Sequence, residues 1–174
     1  MADEKKDPWL NLLALTTVIL AVCATLATFK GGGHSTRSVM RQTQASDQWA
    51  FYQAKSIKGN LYELTKDRLE LDVKAASGAR ADELKAKVEE YAKKVAKYDQ
   101  EKAEIQAKAQ ALEKEREDAL RHGAAFGVAV IYLQIAILLS SIAALLKKQP
   151  VWWLGLAVGA VGIVNFANGF LLFF

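Results

Sequence analysis

Three stretches of this chain contain no Asp, Glu, Lys, Arg or His over more than twenty residues, and this limits its possible folds more than any other feature. The first covers residues 9–29, "WLNLLALTTVILAVCATLATF", 21 residues long. The second, "FGVAVIYLQIAILLSSIAALL", covers 126–146, and the third, "VWWLGLAVGAVGIVNFANGFLLFF", covers 151–174. A bilayer core about 30 Å thick is crossed by roughly 20 apolar residues in a helix. Each backbone group must find its partner within the segment there, so helices are expected. A cleaved signal peptide has a shorter apolar run after a basic start. Here the run is long and the start, "MADEKKDP", is mixed in charge, so 9–29 reads as a span.

Overall composition hides this division. The chain has 174 residues, 52% hydrophobic and 24% charged, with the charges crowded into the middle. Its two prolines, Pro8 and Pro150, stand at the edges of apolar runs, and its single cysteine, Cys23, lies inside one. One thiol forms no intramolecular disulfide and reports nothing about redox compartment.

Residues 30–125 contain no proline and are rich in Ala, Lys, Glu, Gln and Leu, all good helix formers. No alternating β-branched run suggests a strand. Two breaks are expected. "KGGGHS" at 30–35 should end the first span, with Ser35 or Thr36 capping a new helix. "ASGARAD" at 76–82 should reverse the chain at Gly78. The expected arms are 35–75 and 79–122. On the second, Leu84, Val88, Tyr91, Val95, Tyr98, Lys102, Ile105, Ala109 and Leu112 follow heptad spacing, with Lys102 as the charged interruption. On the first, Ile57, Leu61, Leu64 and Leu71 share that spacing, interrupted by Arg68. The two seams predict an antiparallel coiled coil, each arm about 60 Å long at 1.5 Å per residue.

A second stripe, Ala45, Trp49, Tyr52, Ser56 and Gly59, runs near the start of the first arm. Small residues around 109–119 should lie opposite, so Trp49 and Tyr52 are expected to pack there or at a subunit interface, with Phe51 beside them. A headgroup-level aromatic belt fits less well, because Trp49 lies about 20 Å along the arm. A ligand grip by the rings with Asp47 and Lys55 is the functional alternative.

"WLNLLALTTVILAVCATLATF" followed by "ASDQWAFYQAKSIK" resembles a bacterial membrane-protein family catalogued as domain of unknown function 4337, over nearly the whole chain. "SDQWAFYQAK" is the most specific element. The resemblance implies a multi-pass bacterial membrane protein. It implies no activity and no functional residues.

The sequence has no phosphate-binding glycine loop, HExxH, paired Cys ligands or nucleophile elbow. Carboxylates on the arms alternate with lysines at helix-surface spacing, as in Glu89 with Lys93 and Glu104 with Lys108, which suits a solvated face. No enzyme activity and no cofactor are expected. His34 and His122 should meet at one membrane face, but a transition metal would need a further ligand, so they are weak metal candidates against a reading as polar residues at the wet end of a bundle. In the third run, Gly155 and Gly159 form a GxxxG pair continued by Gly162 and Gly169, a helix-packing signal. Asn165, Asn168 and Gln134 are expected to bond across helices, with a polar pore lining as the alternative.

Lys147 and Lys148 lie in the short loop 147–150, which favours a cytoplasmic N-terminus and a periplasmic hairpin at a bacterial inner membrane. Lys30, Arg37 and Arg41 at the base of the hairpin argue the other way, and a cytoplasmic hairpin could touch anionic lipid there. Acids balance the basic residues, so nucleic acid is not an expected partner. The expectation is an all-α integral membrane protein. It has a tail at 1–8, transmembrane helices at 9–29, 126–146 and 151–174, and a long antiparallel coiled-coil hairpin over 30–125. Its expected role is a scaffold that assembles into a homo-oligomer in the lipid bilayer, with a protein partner on the hairpin as a further option. An oligomeric channel or transport component is the alternative.

Overall fold

The computed structural model describes residues 8–174, which form three α-helices: α1 (Pro8–Ala75), α2 (Ala79–Leu146) and α3 (Gln149–Leu171). The tail expected over 1–8 lies outside the described residues except for Pro8. That proline opens α1, where its missing N–H would have had no helical partner. Each helix contains a window long and apolar enough to cross a membrane.

The break expected at 30–35 is absent. α1 is one helix of 68 residues that passes through Gly31, Gly32 and Gly33. Three interior glycines cost about 1 kcal/mol each relative to alanine. Helix already nucleated on both sides spares the chain a second nucleation, and no proline removes a hydrogen bond. The chain does reverse after Ala75, where Gly78 adopts φ 63° and its carbonyl accepts from the Ala81 amide at 2.9 Å. α2 ends with Lys147 at φ 51° and a bond from the Lys148 amide to the Ala143 carbonyl, 3.1 Å. This is the Schellman pattern made with lysine in the usual glycine position. Pro150 then starts α3 in the first turn, where proline is tolerated.

The chain forms two compact units, one of residues up to Val39 with Arg116–Phe174, the other Met40–Glu115. In the first unit all three helices meet. Leu20, Ala24 and Ala27 of α1 pack with Phe126, Ala129, Leu133 and Ala136 of α2. Alanines at alternate contacts bring the helices close together. α3 approaches through its glycines. A Cβ on Gly155 would lie 3.2 Å from the Ala136 carbonyl, one on Gly159 3.0 Å from Leu20, and one on Gly162 3.0 Å from the Leu133 amide nitrogen. One end of this unit is closed by Trp152, whose indole N–H donates to the Thr16 hydroxyl at 3.2 Å and whose ring lies 6.1 Å from Trp9.

In the second unit the two arms run antiparallel. Arg41 pairs with Glu115 at 2.9 Å and Lys55 with Glu101 at 2.6 Å, while Tyr62 packs on Tyr91 and Tyr98. The seam from Leu84 to Leu112 faces inward, with Ile105 and Ala109 buried. The seam expected on the first arm does not. Ile57, Leu61, Leu64 and Leu71 point outward, and the inner face belongs instead to Ala45, Trp49, Tyr52, Ser56, Gly59, Tyr62, Leu69 and Val73. One helix face cannot serve two stripes about 100° apart. The aromatic stripe adds polar links across the arms that an aliphatic stripe cannot make. Lys102, the charged interruption, faces Gly59, where a Cβ would be 3.9 Å from its ammonium nitrogen, and hydrogen-bonds Asp99 at 2.7 Å.

Candidate functional site

At the end of the first unit opposite Trp9 and Trp152, the three helices bring together aromatic rings and charge. His34 of α1 stacks on His122 of α2, with ring centroids 4.8 Å apart and planes 20° apart. Phe126 lies 5.8 Å from His34 and meets Phe170 of α3 edge-on at 4.9 Å. Glycines make room for the stack. A Cβ on Gly31 would sit 3.1 Å from Phe126, and one on Gly169 2.6 Å from the same ring.

His122 has a defined task. Its Nδ1 lies 2.8 Å from the Gly169 carbonyl oxygen, which can only accept, so Nδ1 carries the hydrogen. Gly169 is in the last turn of α3, where carbonyls lack helical donors. The histidine supplies one, and its Nε2 faces Asp118 at 3.8 Å. His34 has a pKa below the ordinary histidine value. Burial is the main cause, followed by the positive surroundings of His122, Arg37 and Lys30, and Asp118 opposes the shift.

Stacked rings do not aim their in-plane lone pairs at one point, as a shared metal requires. Among the described residues no three His, Cys, Asp or Glu side chains converge as a metal set. The geometry is that of an aromatic stack and a helix C-cap. The sequence placed both histidines at one end but gave no sign of Gly169 or Phe126 as their partners. Only the four-residue step from Asp118 to His122 could have suggested their contact.

The other candidate residues lie elsewhere. Trp49 donates its indole N–H to Glu113 at 2.8 Å and meets Tyr52 edge-on at 5.6 Å. Lys55, expected in a ligand grip, is held by Glu101 and lies 5.3 Å from the centroids of both Phe51 and Tyr98. The hydrogen bond to Glu101 raises the Lys55 pKa and lowers that of Glu101. Phe51 itself is about half exposed, at 49%. The amides of α3 bond locally rather than across helices. Asn165 donates to the Val161 carbonyl at 3.0 Å, while Asn168 donates to the Phe174 carbonyl and accepts from the Phe174 amide. Asn168 therefore fastens the left-handed turn at Leu172. Gln134 lies on the exposed side of α2.

Neither the curated proteins nor the solved structures contain a match to this chain. A family profile described as "Domain of unknown function (DUF4337)" matches residues 9–172, nearly the full length, and the chain belongs to that family.

Proposed function

We propose that the chain is a membrane-anchored structural or interaction protein, held in a bilayer by three spans and joined to further copies of itself through the coiled-coil arms. The observation that carries this reading is the outer face of α1. Ile57, Leu61, Leu64 and Leu71 are 58–66% exposed in a heptad row, on an arm otherwise rich in charge. An aliphatic row of this spacing is the surface that a partner helix covers. A second copy fits it. Copies anchored in one bilayer with one orientation offer the row in the same direction, and a two-fold pair sets like residues together. Arg68 is the single charge in the row, and Asp72 four residues on offers it a counter-ion.

The anchor has separate support. Leu12, Leu15, Val18, Ile19, Val22 and Leu26 are 48–60% exposed around the first unit, a belt suited to lipid. Trp9, Trp152 and Trp153 gather at one end of this belt, as interfacial tryptophans do. The glycine face of α3 lends nothing to oligomerisation, because it is buried against α1 and α2 of the same chain. Transport draws no support from Asn165 and Asn168, whose hydrogen bonds stay within their own segment. No catalysis is part of the reading. It places the spans in a bacterial inner membrane with a cytoplasmic N-terminus, on the strength of Lys147 and Lys148 in the short connection.

Light scattering of the protein purified in mild detergent tests the assembly. Two or more chains per particle is the expected result, and a strict monomer overturns it.

A further inference from the structure

His34 and His122 are the two histidines of the chain, and they are stacked on one another. Histidine ordinarily changes charge between about pH 5 and 8. Rings 4.8 Å apart and nearly parallel therefore carry a conflict that appears only in acid, when both are cations. The two rings are not equally able to bear a proton. His122 has an acceptor for each nitrogen, the Gly169 carbonyl at Nδ1 and the Asp118 carboxylate facing Nε2. When charged it keeps both, so it stays with the last turn of α3. His34 touches the rings of His122 and Phe126 and, among the described residues, has no hydrogen bond or ion pair. The charges around it are Lys30 and Arg37 on its own helix and His122 and Asp118 on α2. Arg121, beside His122, pairs with Glu117, and α3 has no ionisable side chain. Burial and this surplus of cations hold the His34 pKa below its ordinary value. His34 also borders an open notch of about 610 Å³ beside Gly32 and Gly33, which gives a charged ring room to turn.

We propose that the stacked pair is an acid-released clasp, closed at neutral pH and opened when both rings are charged. The break falls on one side only. His34 leaves the stack and α1 parts from α2 and α3 at this end, while His122 keeps its hold on Gly169. Protonated histidine pairs are a common trigger for such two-state contacts. In the orientation proposed above, this end of the helices lies on the periplasmic side, so the clasp would respond to acid outside the cell. The clasp itself rests on contacts within one chain, not on the orientation or the oligomer.

Spin-label distances in the full chain, purified in mild detergent, test it. In a Cys23→Ser background, one pair of labels is placed at Thr36→Cys and Leu171→Cys to span α1 and α3, and another at Leu120→Cys and Leu171→Cys to span α2 and α3. Between about pH 7.5 and about pH 5 the first distance should lengthen by about 2 Å or more, the scale of helix shifts in switching proteins. The second should not change. His34→Phe keeps a ring in the stack and His34→Gln does not, but neither can charge, so both should hold the first distance constant. Ring NMR of the two histidines gives a second reading, in which His34 should lose its ring-current shift as it takes up its proton. An unchanged first distance in the wild type, equal lengthening of both pairs, lengthening that persists in both His34 variants, or a protonated His34 that keeps its ring-current shift would each overturn the clasp. Detergent has no sides, so this failure is distinct from an error in the orientation.

Discussion

Gly162 and Gly33 are the same residue inside the same kind of helix, and their neighbours give them opposite roles. A Cβ on Gly162 would press on the Leu133 backbone at 3.0 Å, whereas one on Gly33 would enter open space. Gly162→Ala is expected to destabilise the first unit by about 1–3 kcal/mol, the usual cost of overpacking. Gly33→Ala is expected to stabilise its helix by up to about 1 kcal/mol. Thermal unfolding in detergent should move the two midpoints in opposite directions. His34 gives a second test. Burial first, then His122, Arg37 and Lys30, hold its pKa below the ordinary value. The unfolded ring takes up a proton near pH 6.5, while the folded ring resists until a lower pH. Between those points the unfolded state binds more protons, so stability falls as pH drops below about 6.5, and the loss is complete once the folded ring is charged too. Removing the group removes its share of that slope. His34→Gln should therefore lose less stability than wild type between about pH 7 and about pH 5.5, and an identical loss would contradict this account of the stack.

At the scale of elements, the sequence made some features legible and left others open. The three apolar helices were readable because nothing but lipid or a core tolerates twenty residues without charge. Gly78 and the glycines at 31–33 looked alike as breaks, yet only Gly78 takes a positive φ. What separates them is context, since the triplet lies inside helix on both sides and Gly31 packs on Phe126. On α1 the heptad spacing was visible in two stripes, and spacing cannot tell which one faces inward. Side-chain chemistry decided it. Trp49 reaches Glu113, Lys55 reaches Glu101, and Tyr62 stacks on Tyr98, links that need the partner arm and that single-sequence periodicity does not reveal. The helix cap by His122 was equally hidden, because its acceptor lies 47 residues away. If the aliphatic stripe is an intermolecular seam, Leu61→Lys with Leu64→Lys should dissociate the particle to monomers while leaving helix content by circular dichroism unchanged. Unfolding together with dissociation would mean that these residues support the arm itself.

For the molecule as a whole, two apolar surfaces of different kinds have to be covered. The belt around 12–26 is broad and uncharged, which suits lipid, whereas the row at 57–71 is narrow, heptad-spaced and bordered by charge, which suits another helix. In the proposed assembly, membrane anchoring would make the second contact easier, since copies confined to one bilayer in one orientation would meet with arms already aligned and at raised local concentration. The central claim is that the outward row of α1 lies against the same row of a second copy. Leu64→Cys, made in a Cys23→Ser background and oxidised in native membranes, tests it most directly, because a disulfide forms only when Cα atoms come within about 7 Å. The account predicts a covalent dimer from Leu64→Cys and none from Glu89→Cys on the exposed side of α2. No dimer at position 64, or equal dimer at both positions, would contradict it.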